Sequence, residues 1–88
     1  CELFGFQLEI HTACTPLLDV ANLHVACASR NTSMVEVHHP IFRFGLKKHP
    51  FDVGADGCVH LPTGPGLGVE LDLDWIENHT VEVRETLK

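Results

Sequence analysis

The chain has 88 residues, a formal charge of −6 and a hydrophobic fraction of 44%. That length holds at most one small domain with a modest core, and that apolar content excludes low-complexity disorder. Six Lys and Arg stand against twelve Asp and Glu, with no basic stripe beyond Lys47-Lys48. This argues against nucleic-acid binding, which needs clustered cations along the phosphates.

In chain order, Glu2-Leu3-Phe4-Gly5 reads as the last turn of a helix, with Gly5 taking the left-handed C-terminal position. Residues 6–10 alternate apolar and polar and read as a strand, with His11 at its C-terminal end. A loop follows. Thr15-Pro16 then makes a helix start, Thr15 as N-cap and Pro16 at the first helical position. Residues 17–28 are the clearest helix, with Leu17, Val20, Ala21, Leu23, Ala26 and Cys27 on one apolar face. Residues 29–33 are polar and break the pattern. Met34-Val35-Glu36-Val37 reads as a second strand. The order strand, helix, strand fits a parallel βαβ unit. A parallel sheet needs cover on both faces, and one helix cannot supply it.

Residues 39–56 form a long irregular stretch broken by Pro40, Gly45, Pro50 and Gly54. A connection of that length is expected to be functional or to pack against something outside this chain. Residues 58–61 and 69–71 read as short strands around a turn-rich loop at 62–68. Asp74 is expected to cap a short helix, because Asp74-Trp75-Ile76-Glu77 has the spacing of a capping box. Residues 81–83 read as a terminal strand. No internal repeat or domain boundary is visible.

No apolar run reaches the roughly 18 residues that span a bilayer. The start at Cys1 has neither an initiator Met nor the basic and apolar regions of a signal peptide, which reads as a chain beginning within a longer protein. Cys1, Cys14, Cys27 and Cys58 would allow two disulfides in three connectivities. Cys27 instead reads as a small buried residue in a helix, and a reduced, cytoplasmic setting is expected.

His11 is the sharpest candidate for chemistry. A His at the C-terminal end of a parallel strand sits where α/β barrels place catalytic groups, and imidazole exchanges protons near neutral pH. The alternative is a hydrogen-bonded structural His. Glu36 stands in an apolar strand between Val35 and Val37. It either faces solvent or points into a site. Seven His raise the question of zinc, but there is no C-x-x-C and no H-x-x-x-H among them. Gly64-Pro65-Gly66-Leu67-Gly68 is not a dinucleotide loop, because no helix opens from it and Pro65 lacks an N–H. It reads as a rigid turn. Asn31-Thr32-Ser33 and Asn78-His79-Thr80 match the glycosylation sequon and read as chance matches without a secretory signal.

Several of these segments together resemble the C-terminal end of an enolase-superfamily barrel, in the mandelate racemase and muconate lactonizing enzyme branch. They are Phe4-Gly5 leading through residues 6–10 to His11, the helix stretch Ala21-Asn22-Leu23-His24-Val25-Ala26, Glu36 in its strand, and Asp56-Gly57 followed by residues 61–72, LPTGPGLGVELD. The last motif is the most specific. The resemblance implies an α/β fold. Residues 1–38 would be the last strand–helix–strand unit of a (β/α)-barrel, and 39–88 an irregular tail packing on an N-terminal capping domain. It implies His11 as general base or acid at the carbon α to a carboxylate, with Glu36 near the substrate carboxylate. The cofactor implied is Mg2+, which would hold the charge of an enediolate, with its ligands upstream of this chain. A Lys base and an Asp partner for the His would also lie upstream.

The activity implied is that of an acid-sugar dehydratase, with a racemase or epimerase of 2-hydroxy acids as a close variant. The substrate would be a small carboxylate, with no nucleic acid or membrane partner and a homo-oligomeric state for the full-length enzyme. On that reading these 88 residues alone are not an active enzyme. A reading from another class also stands: a stand-alone binding or structural module stabilised by metal or disulfides. The two differ in self-sufficiency, since a barrel piece should leave the apolar sides of its strands and helix exposed.

Overall fold

A computed structural model describes residues 1–12, 15–37 and 39–85. The first element is a 3-10 turn over Glu2–Phe4, closed by Gly5 at φ 71° with its N–H donating to the Glu2 carbonyl. The expected helix end is thus a single tight turn with a glycine cap.

Helix α1 spans Pro16–Ala28. Its start is the one the sequence specifies. Thr15 is extended, its side-chain oxygen accepts from the Leu18 N–H at 3.3 Å, and Pro16 occupies the first turn. Pro16, Asp19, Val20, Leu23 and Ala26 are buried, while Leu17 and Cys27 are exposed. The buried stripe is therefore rotated from the expected one, and it includes a carboxylate. Cys1, Cys27 and Cys58 are free thiols; Cys14 lies outside the described residues.

Val20 and Leu23 pack against Phe51, which is 2% exposed, and this core is rimmed by Val35, Val37, Leu46, Val59, Leu67 and Val69. The long stretch at 39–56 thus packs within this chain. Its Phe51 caps α1, and Arg43 braces it by donating to the Phe51 carbonyl and to the Asp52 carboxylate. A further brace is His24, whose Nε2 lies 3.1 Å from the Leu67 carbonyl and ties α1 to the turn at 62–68.

The strands expected at 6–10, 34–37, 58–61, 69–71 and 81–83 do not form ladders; no strand occurs among the described residues. The described part of the tail keeps two antiparallel bridges, Leu46 with Leu71 and Val53 with Val59. Val81 is fully exposed. A strand is defined by its partner's hydrogen bonds, and extended backbone without a continuous partner remains unassigned.

Residues 6–12 and 31–37 nevertheless run side by side. In a parallel pair, one residue accepts from the neighbour after the opposite residue and donates to the one before it. Asn31 does both around Gln7. Its carbonyl accepts from the Leu8 N–H at 2.9 Å, and its side-chain Nδ2 donates to the Phe6 carbonyl at 2.8 Å, where a ladder would use the backbone N–H. At the far end Thr12 meets Glu36 in the same register, again through side chains.

Helix α2 covers Leu73–His79 and is capped by Asp72, whose carboxylate accepts from the Trp75 N–H at 3.0 Å. The cap is two residues earlier than the expected Asp74, because a side chain reaches the N–H three positions on. Phe44, Trp75 and His79 stack in series, with ring centroids 5.2 and 4.0 Å apart.

The radius of gyration is 15.3 Å, against about 12 Å for a compact chain of this length. Leu3, Phe4, Phe6, Met34 and Ile41 are all largely exposed.

Candidate functional site

The two residues singled out for chemistry meet. His11 Nδ1 lies 2.7 Å from Glu36 Oε2. A carboxylate only accepts hydrogen bonds, so with Glu36 ionised Nδ1 carries the proton and donates. When the imidazole is neutral, Nε2 is then the nitrogen with the lone pair, and no hydrogen bond to it occurs among the described residues. The side chains are 76% and 47% exposed, so the pair opens to one face.

Thr12 completes the arrangement. It is 4% exposed, its N–H donates to the same Glu36 Oε2 at 2.9 Å, and its hydroxyl donates to the Glu36 carbonyl at 3.4 Å. In the register set by Asn31, a continued ladder would give the Thr12 N–H to the Val35 carbonyl. It goes instead to the carboxylate and aims Glu36 at the imidazole. Thr12 was not singled out by the sequence reading. The available signal was position alone: a hydrogen-bonding residue directly after a strand-end His.

The open hollow beside the pair, of about 320 Å³, is lined by Glu9, Ile10 and His11 on one side and Met34, Val35 and Glu36 on the other. A larger hollow of about 620 Å³ lies in the tail, among Lys47, Lys48, His49, His60 and Glu70. At its lining Lys47 pairs with Glu70 at 3.1 Å, and His60 Nε2 lies 3.0 Å from the Asp56 carboxylate. Asp56 is held below the usual carboxylate range, first by the Cys58 N–H and then by His60. His49 is pushed below the ordinary imidazole value, chiefly by burial and next by Arg43, with Asp52 and Asp19 opposing. Its Nδ1 accepts from the Phe51 N–H at 3.3 Å, so the neutral ring serves the core.

Among the described residues, no group of three His, Cys, Asp or Glu converges to hold a metal ion. The described residues do not make a magnesium site. Of the His38-His39 pair, His38 lies outside the described residues, and His39 Nδ1 accepts from the Ile41 N–H. No helix among the described residues is long and apolar enough to cross a membrane.

The enolase resemblance implies His11 and Glu36 as site residues but pairs the His with an upstream Asp; the direct His11–Glu36 contact is an addition from the structure. The family model described as enolase C-terminal domain-like matches residues 1–75, and the chain belongs to that family. Membership sets the fold class as α/β. The chain is similar to D-xylonate dehydratase of Haloferax volcanii, at 30% identity over 92% of this chain and 20% of that protein. It is also similar to muconate cycloisomerase 1 of Rhodococcus opacus, at 40% identity over 74% of this chain and 18% of that protein. The chain thus spans about a fifth of the length of these relatives. No solved structure matches it.

Proposed function

We propose that this chain supplies the His11–Glu36 part of the active site of an acid-sugar dehydratase. The observation that carries the reading is the 2.7 Å contact between His11 Nδ1 and Glu36, which leaves Nε2 as the base. The dehydratase relative, which covers 92% of the chain, supports the choice of reaction. In the whole protein, residues 6–12 and 31–37 would be completed as the last strands of a barrel. The tail from residue 39 would reach a capping domain, and the enzyme would assemble as a homo-oligomer in the cytoplasm.

The chemistry asked of these residues is a proton relay. Nε2 of His11 takes the proton from the carbon α to the substrate carboxylate. Glu36 steadies the resulting imidazolium through Nδ1–H, as a carboxylate does for a catalytic imidazole. The imidazolium then gives the proton to the departing β-hydroxyl, which leaves as water while the C–H electron pair becomes part of the new double bond. The magnesium that the family resemblance implies finds no converging ligand group among the described residues, and on this reading its ligands lie upstream of this chain. Glu36 is thus assigned to the His, in addition to the substrate carboxylate that the resemblance implies.

The test is Glu36→Gln in the native protein carrying this chain, assayed with magnesium on a panel of sugar acids. Turnover should fall by about 100-fold or more, with little change in the unfolding midpoint. Equal loss of activity and stability would return Glu36 to a structural role. A second reading, an isomerase acting through the same His, is favoured by the 40% identity to the cycloisomerase. On that reading the panel would show rearranged or inverted product with no loss of water.

A further inference from the structure

The pair at the candidate site depends on a register, and the register begins at the opposite end of the two segments. Among the described residues only one backbone hydrogen bond joins them, Leu8 N–H to the Asn31 carbonyl. One such bond fixes a point and leaves the segments free to pivot about it. The second bond at the same residue, Asn31 Nδ2 to the Phe6 carbonyl at 2.8 Å, removes that freedom. Together they reproduce a parallel bridge with Gln7 opposite Asn31. Continued without a slip, this register brings Thr12 opposite Glu36, where the Thr12 contacts to Glu36 are found. A slip of one residue would turn every side chain of one segment to the other face, and Glu36 would leave His11.

We infer that Asn31 is a positioning residue for the His11–Glu36 pair: its side-chain amide stands in for a backbone donor and locks the register that places Glu36 Oε2 on His11 Nδ1. The inference deepens the functional reading above and rests on it for catalytic meaning, but the contact it concerns can be read without substrate. Asn31 lies in the polar break after α1, which ends with the Ser29 N–H bonded to the Ala26 carbonyl. An Asn suits this place, because its amide carries a donor and so can replace a ladder N–H the local backbone does not offer. The same nitrogen is the one a glycan would occupy in the sequon Asn31-Thr32-Ser33. In this structure that nitrogen is engaged with the Phe6 carbonyl.

The experiment is 15N NMR of the His11 ring at neutral pH, in wild type, Asn31→Ala, Asn31→Asp and Glu36→Gln. Amide signals of α1 and of the Leu46–Leu71 bridge monitor the fold. In wild type, Nδ1 should resonate as the protonated nitrogen, and Glu36→Gln defines the signal of a broken pair. Both Asn31 variants should move the Nδ1 signal at least half of the way to the Glu36→Gln value, with the fold signals in place. An unmoved His11 signal in a folded Asn31 variant overturns the inference. So does collapse of the α1 signals in both variants, which would make Asn31 a general determinant of folding. If the His11 signal follows Asn31 as expected but no sugar acid is turned over, the register inference stands and the dehydratase reading falls.

Discussion

The two sides of this chain are built differently. Toward the tail, α1 is closed: Val20, Leu23 and Phe51 are sealed from water and rimmed by apolar side chains from both extended backbone and loops. Toward the N-terminal run, Leu3, Phe4 and Phe6 stay exposed, and among the described residues two parallel segments are joined by one backbone bond and a few side chains. Stability therefore belongs to the tail side, and the candidate chemistry sits on the open side. A site of exposed His and Glu on pinned segments suits a surface that other structure completes, since open parallel edges are otherwise a liability.

The largest expected effect would break this contrast most plainly. Leu23→Ala should cost about 2–5 kcal/mol in urea unfolding, because it empties the centre of the core. Phe6→Ala, at a side chain 67% exposed, should stay within about 0.5 kcal/mol. Similar losses at both positions would mean that the open side carries its own core.

A smaller effect is expected at the α2 cap. Asp72→Ala should cost about 1 kcal/mol and speed amide exchange at Trp75, leaving α1 unchanged. If Asp74→Ala did this instead, the cap would be the one the capping-box spacing suggests.

The smallest effect is a pH dependence on the closed side. Burial depresses the His49 pKa in the folded state, so the unfolded chain binds the proton more readily. The contribution is complete above the unfolded value of about 6.5 and is lost as pH falls from there through the folded value. His49→Asn, whose Oδ1 can accept from the Phe51 N–H in place of Nδ1, should flatten that part of the stability profile. An unchanged slope below about pH 6.5 would place the acid sensitivity elsewhere.

The sequence showed local devices well and pairings poorly. Thr15-Pro16 carries its own helix start, and Gly5 its own turn, because each acts within four residues. The Asp72 cap was missed by two positions, since Asp72 and Asp74 both precede the same apolar turn. Strands were overread: alternation at 6–10 predicts which faces differ, but a ladder depends on a partner that alternation does not name. Phe51 was not seen as core because burial of a loop residue is set by what it lands on.

His11 and Glu36 were each visible as candidates. Their contact was not, because it depends on a register set by Asn31, a residue that read only as part of a sequon. The family resemblance supplied the place of both residues and set Glu36 beside a substrate carboxylate. The structure adds the His11 contact and the buried Thr12 that holds it.

The most direct test of the central claim is exchange of the substrate α-proton for deuterium, followed by NMR in D2O with magnesium and the sugar acid that turns over. Wild-type protein carrying this chain should exchange that proton on the His11 face, and His11→Asn should abolish the exchange while the unfolding midpoint stays in place. Exchange at the parent rate in a folded His11→Asn protein would contradict the account, and the base would have to be sought on another residue.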